Sequence, residues 1–356
     1  MPVPLHLVAD ALGPMQAYRP KPSRATKLDA NETPDILTDR FREALAARVR
    51  TAPLNRYPTA GALEIKEALC MRFGGEPKEY VVGCGSDEII CLVYLALSKP
   101  RDGERVPSVV FPDPSFVMYQ QNALTYGWAP YSVSLRDDWS LPVGRMIEAI
   151  EDCSANLAFV DSPNNPTGSM MGVEELKRLC EGAPASLVVV DQAYAAFADP
   201  KPNYSEGNHP NLALMGTLSK QGLAGIRLGW LRADARLVEQ IEKARQPFNV
   251  PLLTRMAASL ALGEFWDDFS KAARDIRDER QRLAAELSSI DGLRVFPSQA
   301  NFLLVRIDDA LERRQAQLDE AGIGLRSFPA DGRLENHYRI TVGTRDENQL
   351  AARALR

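Results

Sequence analysis

The stretch that decides the fold is Leu187-Val188-Val189-Val190-Asp191-Gln192-Ala193-Tyr194. Its first four residues are apolar and mostly β-branched, a pattern typical of a strand that is buried on both faces of a sheet. Three similar runs precede it, with helical patterns between them: Tyr80-Val81-Val82-Gly83, Ser108-Val109-Val110-Phe111 and Leu157-Ala158-Phe159-Val160. Strands that alternate with helices predict an α/β fold built on a mainly parallel sheet.

A polar cluster follows each of these runs, at the point where the strand is expected to end. The clusters occupy residues 83–87, 112–115, 161–165 and 191–194. Ligands of open α/β sheets bind outside the carboxyl ends of the strands. We therefore expect the functional site at that edge of the sheet.

The sequence pattern changes in the C-terminal third of the chain. A long helical stretch over 253–288 is followed by strand-like segments at 293–296, 302–305 and 338–342 and by a helix over 308–321. A chain of 356 residues is long enough for about two domains. We predict an N-terminal arm and the start of a small domain over 1–45, a large domain over 46–248 and a small α+β domain over 249–356.

Composition and charge exclude several classes of function. The chain has 42 Lys and Arg against 47 Asp and Glu, a net charge of −5, so we expect no nucleic-acid partner. No apolar run reaches the ~20 residues that span a bilayer, and the first residues do not resemble a secretory signal, so we predict a cytoplasmic protein without a membrane partner. Five cysteines without CxxC spacing and three separated histidines argue against disulfides and against a metal site.

Lys220 is the first candidate for chemistry. It follows Thr217-Leu218-Ser219 and precedes a glycine-rich turn that ends at Arg227. The lysine amine can form a Schiff base, while the hydroxyls and the guanidinium can face an anion. A Ser-Lys pair also occurs in ordinary surface turns, so this motif is weak by itself.

Asp191 is the second candidate, because a carboxylate buried at the end of a strand needs a cationic partner. The protonated ring nitrogen of pyridoxal phosphate is such a partner, and the pair lets the ring act as an electron sink. Tyr194, expected one helical turn beyond Asp191, and Asn165 of the preceding strand end could both reach the phenolic oxygen of this cofactor. The alternative reading is that Asp191 caps the next helix.

The segment Gly83-Cys84-Gly85-Ser86-Asp87-Glu88 lies between a predicted strand and a predicted helix. Free amides at a helix start bind phosphate, and glycines allow the tight bend. The same segment also fits an ordinary helix cap by Ser86. Phe116 could stack on an aromatic ring, although a single Phe is more often part of a core. Together, the lysine, the acid, the phosphate donors and the aromatic ring predict a pyridoxal-phosphate site.

These residues resemble the histidinol-phosphate aminotransferase family, whose members are pyridoxal-phosphate-dependent enzymes with the aspartate aminotransferase fold, the type I fold of such transferases. The resemblance covers nearly the whole chain. Its motifs occur in order at residues 28–34, 56–58, 85–88, 162–168, 217–220, 247–250, 300–302 and 339–345. The fold that it implies is α/β, with a mainly parallel central sheet in a large domain and a smaller α+β domain.

The resemblance implies roles for individual residues. Lys220 would hold the cofactor as an aldimine, and Asp191 would pair with the pyridine nitrogen. Asn165 and Tyr194 would bond the phenolic oxygen, and Phe116 would stack on the ring. The catalytic residues that the resemblance implies are Lys220, Asp191 and Tyr194. The other cofactor-binding residues on this chain would be Gly85, Ser86, Asp87, Thr217, Ser219 and Arg227.

The resemblance also implies a homodimer with active sites at its interface. Tyr57 would reach the phosphate of the cofactor in the partner subunit. The substrate would be bound by Tyr18, Asn31, Arg326 and Arg339.

Three positions depart from the usual family pattern. Gly216 stands where an arginine usually precedes Thr-Leu-Ser-Lys, Thr33 replaces an asparagine and Phe116 replaces a tyrosine. These changes remove no catalytic group, but they leave room for a different substrate.

The function that the resemblance implies is a ping-pong transamination in histidine biosynthesis. Histidinol phosphate and 2-oxoglutarate would give imidazole-acetol phosphate and glutamate. An aromatic amino-acid aminotransferase and an enzyme resembling threonine-phosphate decarboxylase are alternatives, because two arginines suit a carboxylate as well as a phosphate. A non-catalytic nucleotide-binding α/β protein is an alternative from another class of function. This alternative gives Lys220 and Asp191 no common role.

Overall fold

Two β-sheets organise the chain in the computed structural model, which describes residues 3, 5–15, 17, 24–101, 103–206, 209–329 and 331–356. The larger sheet has seven strands in the order β2-β8-β7-β6-β5-β3-β4. They are β2 Tyr80–Cys84, β3 Ser108–Asp113, β4 Ala129–Ser134, β5 Leu157–Asp161, β6 Leu187–Asp191, β7 Leu212–Thr217 and β8 Leu228–Arg232.

The seven-stranded sheet is mainly parallel, as the alternation of strands and helices predicts. The pairs β3–β4, β3–β5, β5–β6 and β6–β7 are parallel. Strand β8 is antiparallel to both of its neighbours, β2 and β7. The carboxyl ends of β5, β6 and β7 therefore meet at one edge, and the residues that follow them come together there.

The central strands are buried on both faces. In β6, Val188 and Val190 pack into a core with the helices α5 Val143–Asp152 and α6 Val173–Gly182. Val189 points to the opposite core, formed with α3 Gly85–Ala96, α4 Met118–Thr125 and α7 Ala235–Ala244. This two-sided burial explains the continuous apolar run, because neither face of the strand meets water.

The second sheet has five strands in the order β1-β11-β12-β10-β9. These are β1 Thr26–Leu28, β9 Leu293–Val295, β10 Phe302–Ile307, β11 Ile323–Ser327 and β12 His337–Thr341. Strand β1 is parallel to β11, and the other pairs are antiparallel. The core of this sheet includes residues of α9 Trp266–Ser288, α10 Leu311–Glu320 and α11 Arg345–Ala354. A strand from the N-terminal part of the chain thus completes a sheet made of C-terminal strands.

The prediction of one helical stretch over 253–288 is wrong. Two helices, α8 Leu252–Leu262 and α9, occupy this region, and Gly263 between them has the non-helical angles φ −98° and ψ −105°. Glycine adopts such a conformation without a side-chain clash, so it ends α8 here.

Helix α8 packs in the same core as α1 Asp39–Arg50, α2 Leu63–Phe73 and the strand β8. The domain bounds 1–45, 46–248 and 249–356 stay a prediction.

Over the described ranges, no helix is both long and apolar enough to cross a membrane. The same residues contain no group of three or more His, Cys, Asp or Glu side chains that could hold a metal ion. The five cysteines are free thiols.

Candidate active site

Two buried aspartates lie side by side at the carboxyl edge of the seven-stranded sheet. Asp161 ends β5 and Asp191 ends β6, and the two residues are partners in the parallel register. The chain turns directly after β5, where the Ser162 amide donates a 2.9 Å hydrogen bond to the Asp191 carbonyl. Because neighbouring side chains in register point to the same face, both carboxyl groups belong to one site.

Asp191 is held by donors on both carboxylate oxygens. The Ala193 amide donates to Oδ1 at 2.9 Å, and the Tyr119 hydroxyl donates to Oδ2 at 3.0 Å. Burial raises the pKa of Asp191 to about 6, although these two hydrogen bonds favour the ionised form. No ion pair among the described residues includes this carboxylate. Asp191 is thus buried at the end of its strand, where a carboxylate requires a cationic partner.

Tyr119 was not identified from the sequence. It lies three residues after Phe116 in the first turn of α4, and the two rings pack edge to face with centroids 5.7 Å apart. Its place three residues after the candidate ring Phe116 was the available signal. Its partner Asp191 lies 72 residues away, so the contact itself could not be anticipated.

Asp161 is a second group to which sequence reasoning gave no role. Its Oδ1 accepts a 2.8 Å hydrogen bond from Asn164 Nδ2, and its Oδ2 accepts one of the same length from the Asn165 amide. Burial raises the pKa of Asp161 to about 7, and the nearby Asp191 charge acts in the same direction. This carboxyl group fixes the loop that carries Asn165.

Lys220 lies beyond the end of β7, near Tyr194. Its Nζ is 6.0 Å from the centroid of the Tyr194 ring. The hydroxyl of Thr33 donates to the Lys220 carbonyl at 2.5 Å, so the segment after β1 anchors the backbone of the lysine. Thr33, which stands where the family usually has an asparagine, therefore keeps a polar contact with the site.

Tyr194 does not lie on a helical turn after Asp191, so that prediction is wrong. Residues 192–194 form a turn, closed by the Ala195 amide donating to the Gln192 carbonyl at 3.0 Å, and a short 3₁₀ helix, Ala195–Phe197, begins only afterwards. The hydroxyl of Tyr194 nevertheless faces the site, where Asn31 Nδ2 donates to it at 2.9 Å. Asn31 is buried and also bonds Thr341 of β12, which joins the two sheets.

A cradle of donors surrounds the N-terminus of α3, which begins at Gly85. Arg227 Nη2 forms a 2.9 Å ion pair with Asp87, and its Nη1 donates to Ser219 Oγ at 3.2 Å. Gly85 has φ +82°, and a Cβ built there would lie 2.5 Å from Arg227 Nη2. Only glycine lets the arginine approach the free amides of Ser86 and the residues after it, which is the arrangement of an anion site.

Thr217 closes this cradle from the end of β7. Its hydroxyl donates to the Leu228 carbonyl at 2.7 Å and accepts from the Ser219 amide at 3.0 Å. The preceding residue, Gly216, faces Trp230 across β7 and β8, and a Cβ there would lie 2.5 Å from the indole. The indole therefore occupies the space beside the position where the family usually has an arginine.

Arg339 brings the five-stranded sheet to the site. It is buried, its Nη1 donates to Asn165 Oδ1 at 2.6 Å and its Nη2 donates to the Asp29 carbonyl at 2.6 Å. Arg326 is its register partner on β11, and the side chain of Arg326 is exposed. Two guanidinium groups on neighbouring strands thus offer donors for an anion.

Two predicted site residues are not part of this group. Tyr57 is 82% exposed and its ring stacks on Phe248, with centroids 4.8 Å apart. Within the described part of the chain, it forms no hydrogen bond with the other predicted site residues. Tyr18 lies outside the described residues.

The arrangement fits pyridoxal phosphate at two points. Asp191 is a buried carboxylate that requires a cation, and a protonated pyridine nitrogen is a compact one. The cradle around Gly85 combines helix amides, hydroxyls and one guanidinium, which is a donor set for a phosphate. Asn165 follows β5, the strand beside that of Asp191, and accepts from Arg339, and Lys220 Nζ lies 6.0 Å from the Tyr194 ring.

The fold and this arrangement define an aminotransferase. The family model for class I and II aminotransferases matches residues 23–355, and the chain belongs to that family. The match confirms the prediction of a pyridoxal-phosphate-dependent aminotransferase, and the nucleotide-binding alternative is therefore dropped.

Within the family, the chain is similar to histidinol-phosphate aminotransferases. It is 41% identical to the one from Chromobacterium violaceum, over 92% of this chain and 91% of the relative. It is 38% identical to histidinol-phosphate aminotransferase 2 from Nitrosococcus oceani, over 93% of this chain and 91% of the relative.

Solved structures confirm the predicted fold. The histidinol-phosphate aminotransferase from Sinorhizobium meliloti, solved in complex with pyridoxal 5′-phosphate, superposes with a TM-score of 0.86 at 23% identity, over 98% of this chain and 96% of that one. L-threonine-O-3-phosphate decarboxylase from Porphyromonas gingivalis superposes with a TM-score of 0.77 at 22% identity, over 93% of this chain and 98% of that one. At these identities, the likeness concerns the fold alone.

Proposed function

We propose that this chain transfers the amino group of histidinol phosphate to 2-oxoglutarate, giving imidazole-acetol phosphate and glutamate in histidine biosynthesis. The observation that carries the proposal is the similarity, over nine-tenths of the chain, to relatives named for this substrate. The buried guanidinium of Arg339 supports it, because it donates into the segment that follows β5, and its Nε has no hydrogen-bond partner among the described residues. Such a group can bind an anionic substrate.

The proposed cofactor site divides into three parts. Asp191 would hold the pyridine nitrogen, with Phe116 against the ring. Asn165 and Tyr194 would donate to the phenolic oxygen. The phosphate would be bound by Gly85, Ser86, Asp87, Thr217, Ser219 and Arg227. Since Asp87 carries a negative charge, its contribution would be its backbone amide and its ion pair with Arg227.

When bound, pyridoxal phosphate supplies an electron sink for the bond between the amino-bearing carbon and its hydrogen. Lys220 Nζ would take the proton from that carbon and later return a proton to the product side, as a general base and then a general acid. Asp191, buried between Tyr119 and the Ala193 amide, would keep a negative charge away from water. Arg339 and Arg326 would fix the anionic end of the substrate and so orient the reacting carbon.

We also propose that the protein is a cytoplasmic homodimer in which Tyr57 reaches the cofactor phosphate of the partner subunit. Exposed apolar side chains in the segments that carry Tyr57 and its stacking partner Phe248 support a subunit interface, since exposed apolar surface is typical of interaction sites. They are Leu54, Leu63, Phe248 and Leu253, with exposed fractions of 66%, 54%, 36% and 48%. Sedimentation at micromolar concentration tests this, and a monomer would contradict it.

The substrate is tested by one assay with several amines. Purified protein with pyridoxal phosphate and 2-oxoglutarate receives histidinol phosphate, phenylalanine or threonine phosphate, and glutamate and carbon dioxide are measured. We expect glutamate with histidinol phosphate at a kcat/KM at least tenfold above that with phenylalanine, and no carbon dioxide from threonine phosphate.

A higher kcat/KM for phenylalanine than for histidinol phosphate, or release of carbon dioxide from threonine phosphate, would contradict the proposed substrate. The variant Lys220→Ala is the control for the chemistry: we expect it to bind the phosphate end of the cofactor and to lose turnover. Turnover in this variant would contradict the role of Lys220.

A further inference from the structure

Tyr119 lies at the centre of the site, and the proposed mechanism gives it no role of its own. Its side chain is fully buried and its hydroxyl donates to Asp191 Oδ2 at 3.0 Å. We propose that Tyr119 is a positioning residue, which holds the Asp191 carboxylate in the orientation and the ionised state that binding of pyridoxal phosphate requires. This inference rests on the proposed cofactor site and does not depend on the amine substrate.

The orientation of Asp191 is fixed because each oxygen has one donor. Oδ1 accepts from the Ala193 amide at 2.9 Å, and Oδ2 accepts from Tyr119. Rotation of the carboxylate about its Cβ–Cγ bond would break both hydrogen bonds. Each carboxylate oxygen can accept more than one hydrogen bond, so lone pairs stay available for a cation.

The Tyr119 hydroxyl is itself held in place by packing. The ring stacks on Phe159 of β5 with centroids 4.6 Å apart and planes 8° apart, and Phe116 packs edge-on against it at 5.7 Å. The Tyr119 carbonyl accepts a 2.8 Å hydrogen bond from the hydroxyl of Tyr94. The Tyr119 hydroxyl is therefore positioned before any ligand binds. Binding then carries no entropic cost for ordering this side chain.

The charge state of Asp191 depends on the groups that face it from the surrounding elements. Asp161 on β5 and Asp87 on α3 disfavour its negative charge, whereas Lys220 favours it. Burial raises the pKa of Tyr119 well above its usual value, so this phenol stays protonated and only donates. Tyr194 is the remaining titratable neighbour. Tyr119 thus stabilises the ionised carboxylate without adding a charge to the site.

This arrangement makes cofactor binding depend on pH in a specific way. A pyridinium pairs with the ionised form of Asp191, so affinity decreases as pH falls through the pKa of this group. Removal of the Tyr119 hydroxyl takes away a hydrogen bond to the ionised form and therefore raises that pKa. The midpoint of the loss of affinity then moves to higher pH.

The test compares Tyr119→Phe with wild type and with the control Tyr80→Phe. Tyr80 is also fully buried, but its hydroxyl donates to the Gly74 carbonyl at 2.8 Å, outside the cofactor site. The phenylalanine at 119 keeps the ring that stacks on Phe159, and circular dichroism checks that each variant folds. The affinity for pyridoxal phosphate is measured from its visible absorption band between about pH 5 and about pH 8, the range in which shifted carboxyl groups titrate.

We expect Tyr119→Phe to bind about tenfold more weakly near pH 6, with a smaller loss near pH 8 and a midpoint at higher pH than wild type. Tyr80→Phe should keep the wild-type midpoint. An unchanged affinity, or a loss that is equal at every pH, would overturn the role of Tyr119. If wild-type protein itself fails to bind pyridoxal phosphate, the proposed function fails instead, so the two failures are distinct.

Discussion

Arg339 Nη1, on the five-stranded sheet, lies 2.6 Å from Asn165 Oδ1, in the loop that leaves the seven-stranded sheet. The other terminal nitrogen of the same guanidinium donates to the Asp29 carbonyl, directly after β1. One buried side chain thus connects three segments that are far apart in the sequence. Its planar shape matters, because two donors must diverge from one centre to reach both acceptors.

Replacement of Arg339 by lysine should therefore weaken binding of the amine substrate. An ammonium group cannot reach both acceptors, and the loss of one hydrogen bond from a charged donor corresponds to a roughly 10- to 100-fold rise in KM. Steady-state kinetics measures the change. The matched control is Arg306→Lys on the same sheet, whose partner Asp308 is exposed, and its KM should stay within about twofold of wild type. A normal KM in Arg339→Lys would contradict a role in substrate binding.

Gly85→Ala should weaken binding of pyridoxal phosphate by at least about tenfold. The new Cβ would lie 2.5 Å from Arg227 Nη2 and would push the guanidinium away from the helix start. Gly103→Ala is the matched control, because Gly103 has the same φ of +82° and a Cβ built there has no atom of the non-adjacent described residues within 4 Å. Both variants should lose about 1 kcal/mol of stability from backbone strain. Equilibrium titration with the cofactor separates them, and equal affinities would show that the cradle does not bind phosphate.

Asp161 should make the stability of the cofactor-free protein decrease as pH rises. Burial raises its pKa to about 7, whereas an unfolded aspartate titrates near about pH 4. Between these values the folded protein holds a proton that the unfolded chain releases, so the free energy of unfolding falls as pH rises through this window. In Asp161→Asn the side chain stays neutral.

The free energy of unfolding of Asp161→Asn, relative to wild type, should therefore increase by about 3 to 4 kcal/mol between about pH 4 and about pH 8. Urea unfolding at one protein concentration measures it at each pH. A difference that does not change with pH would mean that Asp161 titrates normally.

Arg280→Met should destabilise the fold by about 2 to 4 kcal/mol. Arg280 lies on α9, is 4% exposed and donates from Nη1 to the carbonyls of Phe197 and Ala300 at 3.1 and 2.6 Å. These carbonyls follow Tyr194 and precede β10, so the arginine joins the two sheets behind the site. Arg274→Met on the exposed side of the same helix should change stability by less than about 0.5 kcal/mol. Thermal unfolding compares the two, and equal effects would contradict the role of Arg280.

The parts of the fold that were predictable are those with a local pattern. The apolar run at 187–190 is buried on both faces, and its pattern predicted β6 and a parallel sheet. Strand β8 was missed, because Leu228–Arg232 contains a glycine and an arginine and has no clear alternation. Strand β1 was missed because three residues are too short for a periodic signal. The break at Gly263 was missed because the apolar spacing continues across it.

The candidate site likewise contains residues that the sequence indicated and residues that only the structure revealed. Asp191 and the segment at Gly85 follow strands that the sequence predicted, and Lys220 stands in a Thr-Leu-Ser-Lys motif before a glycine-rich turn. Their residue types and positions were therefore sufficient to propose them. Tyr119 and Asp161 were not proposed, because their importance lies in contacts with Asp191 and with the loop at Asn165. Their roles depend on which strand ends become neighbours.

The class of protein followed from the amino-acid sequence, because a lysine in its motif, an acid at a strand end and a glycine-bearing helix start are residue types in a fixed order along the chain. The tertiary structure decided how these groups act on one another. The pKa of Asp191 reflects burial, the Tyr119 phenol on α4 and the Asp87 carboxyl group on α3, and neither of these two residues is close to it in the chain. Electrostatic and hydrogen-bond energies depend on distance in space and on exclusion of water, and both arise only when the sheets have assembled.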